Sequence, residues 1–156
     1  MFGKPIGEYL RFEWGILFAI LVVGLVRLGL SLAGVPMGTV RLFSINVVLL
    51  LGVVYVGIVA TTRGFGTYRH LLPLVFFQGL LVNGIAAAAI GLAAVTGQAN
   101  AYTVPEYTAA LPNYLPHALG HLFGTLVVAP IAWGVASVAM LVTRALRRGT
   151  PARAGA

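Results

Sequence analysis

The chain contains no cysteine and no aspartate, and its only carboxylate side chains are Glu8, Glu13 and Glu106. Without thiols there can be no disulfide framework, thiolate metal site or dithiol redox chemistry. With three carboxylates in all, general acid–base catalysis and coordination of hard cations are restricted more than by any other feature. Charge of either sign is scarce too: 8% of the 156 residues are charged, against roughly 25% in an ordinary soluble domain. Hydrophobic residues make up 60% of the chain and the mean hydropathy is +0.98. A soluble globular domain is excluded. No P-loop, dinucleotide fingerprint, nucleophile elbow or H-E-x-x-H sequence is present, so no soluble-type catalytic motif argues for an enzyme.

What is present is four long apolar runs. Each is about 20 to 25 residues, enough to cross a bilayer as a helix, and together they leave no room for a catalytic domain elsewhere. The expected fold is an all-α integral membrane protein: a four-transmembrane-helix bundle with an N-terminal interfacial helix and a long extracytoplasmic loop between helices 3 and 4. The spans are expected over about 14–33, 42–61, 71–96 and 116–144, in one domain covering residues 1–146, with a basic mobile tail over 147–156. Phe2, Ile6 and Leu10 are spaced four apart among charged residues, which gives the interfacial helix. On this reading Glu13 precedes the first span, and no carboxylate lies in an apolar segment. Lys4 ahead of an apolar run, with Ser31-Leu32-Ala33 after it, resembles a secretory leader. The run is too long for one and contains Arg27, so it reads as a retained first helix.

Helix ends follow from local signals. Gly34-Val35-Pro36 stops the first span, Pro73 is tolerated near the start of the third and Gly97 closes it, and Pro130 marks a kink in the fourth. Residues 97–116 hold three prolines, three tyrosines and one charge. Such a connection is too long for a simple turn and is expected to fold back over the bundle.

Orientation comes from the basic residues. Lys4, Arg11, Arg63, Arg69, Arg144, Arg147, Arg148 and Arg153 fall on one side of the four spans, and the opposite connections hold only Arg41. The positive-inside rule puts both termini in the cytoplasm, in a bacterial inner membrane. The net charge of +7 is then a feature of membrane flanks. It points to lipid headgroups as partners and away from nucleic acid.

The rare polar groups inside the spans carry the functional expectations. Arg27 lies about 10 Å from the outer end of the first helix, at about 1.5 Å per residue. A guanidinium there costs roughly 2.5 to 3.5 kcal/mol on insertion scales unless it finds water or a partner. It either snorkels to the outer headgroups or contacts a polar ligand or Glu106. His117 and His121 form an i,i+4 pair on one face of helix 4, and Asn46 lies at a similar depth on helix 2. With Glu106, Tyr102, Tyr107 and Tyr114 in the loop above, they outline an outer ligand-binding chamber or, equally, a packing network. His117 and His121 could also supply ligands to a metal or a haem. His70, on the opposite side, is expected to contact lipid phosphate. Gly79, Asn83, Ala87 and Gly91 form a four-residue stripe on helix 3, and Gly120 and Gly124 one on helix 4, both expected at helix-packing surfaces.

Three function classes follow. The first is a non-catalytic subunit or scaffold that packs as a homo-oligomer or within a larger membrane complex. The second is a binder of a quinone, lipid, haem or metal in the outer chamber. The third is an oligomeric transporter or channel.

Overall fold

The computed structural model describes residues 1–103 and 114–149. All regular structure among them is helical: α1 (Ile6–Leu32), α2 (Met37–Val40), α3 (Ile45–Thr62), α4 (Tyr68–Thr96) and α5 (Tyr114–Gly149). Four segments, Ile6–Leu32, Met37–Thr62, Tyr68–Thr96 and Tyr114–Gly149, are long and apolar enough to cross a membrane. At about 1.5 Å per residue α5 is about 54 Å long, well beyond the apolar thickness of a bilayer.

The expected interfacial helix is not a separate element. Pro5 stands at the cap of α1, and the helix then runs unbroken through residues 6–13 into the apolar segment. No proline interrupts it before Pro36, and the Lys4–Glu8 ion pair supports its first turn. Glu13, expected ahead of the span, is instead buried inside the bundle at 1% exposure. The second long helix begins only at Ile45, because α2 takes up residues 37–40 and the Ser44 hydroxyl caps α3 by accepting from Val47 N. The third begins at Tyr68, where His70 Nδ1 accepts a hydrogen bond from Thr67 N at 3.0 Å. Gly97, at φ +71°, ends it. Helix α5 continues through Pro130.

Helices α3 and α4 pack on each other and on both outer helices, with the α4–α5 face the most extensive, whereas α1 and α5 do not pack together. One apolar cluster joins Tyr9, Val53, Val56, Leu71, Leu74 and Met140 at the end where α1 begins. A second joins Ile20, Ile45, Val82 and Ile85 toward the other end. Where α3 crosses α5, a Cβ on Gly57 would lie 2.3 Å from the Ala136 carbonyl oxygen, so only glycine allows this approach. Helix α5 is tied to the start of α4: Trp133 Nε1 donates to Tyr68 O at 2.7 Å, and the Arg144 guanidinium lies 4.8 Å from the Tyr68 ring centre.

Candidate functional site

Because α1 and α5 stand apart, a gap remains between them at the end of the bundle where α1 finishes and α3 begins. There the structure has a cavity of about 470 Å³. Arg27 reaches it from α1, Arg41 from the residue after α2, Asn46 from the first turn of α3, Asn83 from α4, and His117 and His121 from α5. Tyr102 covers part of it, and Ile45, Val82 and Ala86 supply an apolar wall.

Arg27, Asn83 and His121 are held by identifiable contacts. Arg27 Nη1 donates to Phe43 O at 3.5 Å, and its guanidinium lies 5.6 Å from the Tyr102 ring centre. Asn83 Nδ2 donates to Gly79 O and to Thr125 Oγ1, each at 3.0 Å, while its Oδ1 lies 3.1 Å from His121 Nδ1. The rings of His117 and His121 are 5.1 Å apart. Two nitrogens are buried without a hydrogen-bond partner among the described residues: Arg27 Nε and His117 Nδ1. Buried polar nitrogens left this way are uncommon and call for a partner.

The cover is built by Asn100. Its Nδ2 donates to Ala89 O at 2.8 Å, and its Oδ1 accepts from Tyr102 N at 2.9 Å, forming a side-chain-closed turn. Gln98 Nε2 donates to Leu32 O, fixing the same segment to the end of α1. Tyr102 then points its hydroxyl at Gly24 O, 3.2 Å away. Burial pushes the Tyr102 phenol above its ordinary range, and the neighbouring Arg27 charge partly opposes this.

Of the residues the sequence singled out for ligand binding, Arg27, Asn46, His117 and His121 thus lie around one cavity, whereas Glu106 and Tyr107 fall outside the described residues. Of those expected in helix packing, Gly79 is buried near Thr125, with a Cβ there meeting Thr125 Cγ2 at 3.6 Å. Asn83 turns out to line the cavity. Ala87 and Gly124 are half-buried, and Gly91 and Gly120 are exposed. His70 differs from expectation: both ring nitrogens are engaged within the chain, Nδ1 with Thr67 and Nε2 with Phe2 O at 3.1 Å. Sequence reading missed the role of Asn100. The available signal was an asparagine two residues before Tyr102, just past a glycine helix stop.

No group of three or more histidine, cysteine or acidic residues that could hold a metal ion occurs among the described residues. Compared with models of protein families, with curated proteins and with solved structures, the chain matches none.

Proposed function

We propose that this chain is a membrane protein that binds the anionic headgroup, phosphate or carboxylate, of a small amphiphilic molecule in the chamber between α1 and α5. The observation that carries this reading is the donor set. Two arginines and two histidines face one cavity with no carboxylate among its described lining residues, and Arg27 Nε and His117 Nδ1 are buried without a hydrogen-bond partner among the described residues. Guanidinium and imidazole N–H groups suit a phosphate or carboxylate oxygen, and they oppose a metal cation. The volume falls within the roughly 300–1,000 Å³ of small-molecule sites, and the apolar wall suits the first carbons of a chain. Arg41 at the rim adds a second guanidinium.

The topology belongs to the same proposal. Lys4, Arg11, Arg63, Arg69, Arg144 and Arg147 flank the helix ends away from the chamber. By the positive-inside rule, both termini are cytoplasmic and the chamber faces outward from a bacterial inner membrane.

The reading is tested by native mass spectrometry of the mildly extracted protein offered inorganic phosphate, a short-chain phosphatidate or a short-chain phosphatidylcholine. Retention of phosphatidate by the wild type, and its loss in Arg27→Gln, supports the chamber. Equal retention of phosphatidylcholine contradicts a preference for an exposed anion, and phosphate bound as well as phosphatidate identifies a free anion as the ligand.

One observation favours the scaffold reading as a second possibility. Gly91 and Gly120 are exposed, and α5 presents Phe123, Val127 and Ile131 outward. A lipid-facing helix surface has the same composition. The same spectra decide it, since a defined oligomer or partner with no ligand supports a subunit.

A further inference from the structure

Away from the chamber, α1, α3 and α4 meet around a second polar centre. Gln78 Nε2 donates to Glu13 Oε2 at 2.9 Å, with Gln78 at 0% and Glu13 at 1% exposure. The pair sits among apolar side chains, and the one ion pair among the described residues, Lys4–Glu8, does not involve it. Its remaining two oxygens, Glu13 Oε1 and Gln78 Oε1, are both buried without a hydrogen-bond partner among the described residues. The fold makes specific room for the amide. A Cβ on Gly52 would come within 2.6 Å of Gln78 Oε1, and within 2.6 Å of Ile16 Cγ2.

The inventory of hydrogens explains the two orphans. An amide has two donors and one acceptor group, and a carboxylate has acceptors only. One N–H···O bond therefore leaves an unpaired oxygen on each partner. An ionised carboxylate buried without a cation is among the most costly arrangements a protein interior can hold. A single proton on Glu13 Oε1 removes that charge and adds an O–H donor to a pair whose other orphan, Gln78 Oε1, is an acceptor.

We infer that Glu13 and Gln78 form a proton-binding site in the interior of the bundle, where a neutral Glu13 donates to and accepts from the Gln78 amide. The ligand is one proton. Groups facing the site are few. On α1, Tyr9 lies one turn nearer the N-terminus, its hydroxyl engaged with Met1 O. On α4, His70 stacks on the Tyr9 ring at 6.3 Å. From α3 the neighbour is Gly52, with no titratable side chain. An apolar groove of about 440 Å³ runs along the α1–α4 seam, lined by Leu10 and Leu17, which bracket Glu13 in the helix, and by Phe77 and Leu81, which bracket Gln78. Parting that seam would bring the carboxyl to whatever medium lies alongside.

The composition provides a clean test, because the double variant Glu8→Gln, Glu106→Gln leaves Glu13 as the sole carboxyl side chain in the chain. The variant, labelled with glutamate carrying ¹³C at the side-chain carboxyl and reconstituted in liposomes at neutral pH, is examined by infrared spectroscopy. The inference expects the isotope-shifted C=O band of a protonated, hydrogen-bonded carboxylic acid, moving in Gln78→Leu. A spectrum showing only the paired carboxylate stretches overturns it. If the double variant does not fold, the same labelled wild type gives the readout: a protonated-acid band at neutral pH supports the site, and its absence rejects it.

Discussion

The amide oxygen of Asn83 faces His121 Nδ1 at 3.1 Å, and the orientation is fixed because Asn83 Nδ2 is committed to the Gly79 carbonyl and the Thr125 hydroxyl. A carbonyl cannot donate, so Nδ2 must be the amide atom on that side. His121 Nδ1 is then the donor to Asn83, and Nε2 faces a ligand as an acceptor in the neutral ring and donates to an anion only when the ring carries a second proton. Replacing Asn83 with leucine removes this anchor and strands Thr125 Oγ1. The expected cost is about 1–2 kcal/mol of bundle stability, from hydrogen bonds that in membrane helices average roughly 0.6 kcal/mol each plus an unpaired buried group. Chemical denaturation in detergent checks it, and an unchanged midpoint would count against the assignment.

Gly57 and Gly29 make opposite predictions for the same substitution. A Cβ on Gly57 meets Ala136 O at 2.3 Å, whereas one on the exposed Gly29 meets nothing within 4 Å. Gly57→Ala should therefore cost about 1–3 kcal/mol by forcing α3 and α5 apart. Gly29→Ala should stay within about 0.5 kcal/mol of the wild type. Thermal unfolding of the two variants side by side tests the helix crossing.

The foot of the bundle depends on His70. Its two nitrogens close the start of α4 at Thr67 and hold the Phe2 carbonyl. His70→Ala should destabilise by about 1 kcal/mol through loss of the helix cap. Hydrogen exchange should accelerate at residues 1–4 and 67–70 while the chamber end stays protected. Uniform acceleration over the whole chain would show that His70 acts globally and not as a local tie.

Tyr102 gives a pH prediction. Burial holds its phenol protonated to higher pH than in an unfolded chain. The folded state therefore binds more protons than the unfolded one as pH rises past the ordinary tyrosine value of about 10, and stability falls in that window. Tyr102→Phe should lose the Gly24 contact at neutral pH but show a shallower decline in alkaline solution. Denaturation curves at neutral and strongly alkaline pH for both proteins check the difference in slope.

Much of the architecture is legible in the sequence, because long apolar runs bounded by glycine and proline specify helices almost by composition alone. The four segments that the structure shows as long and apolar enough to cross a membrane come from those runs. Where reading by pattern goes astray, the reason is tertiary. Glu13 looks like the end of an interfacial segment because a carboxylate is costly inside a span. Only the packing of α4 against α1 supplies Gln78 to receive it, and only Gly52 on α3 leaves space for that amide. Asn83 fits a small-residue stripe by spacing, yet the packing of α5 against α4 brings His121 and Thr125 to its two ends. Arg27, Asn46, His117 and His121 could be grouped by depth along their helices, since rise per residue is fixed. The gap between α1 and α5 that makes room for a cavity depends on which helices pack together, and no single-chain periodicity encodes that.

The central claim, that an anion sits between α1 and α5, is addressed most directly by nuclear magnetic resonance of the protein with ¹⁵N-labelled histidine rings, titrated with a short-chain phosphatidate. The chain has three histidines. Two line the chamber, and His70 at the opposite end serves as an internal control. The account predicts saturable shifts at His117 and His121, with His70 unmoved and the response lost in Arg27→Gln. Shifts of equal size at all three rings, or none at His117 and His121, would contradict it.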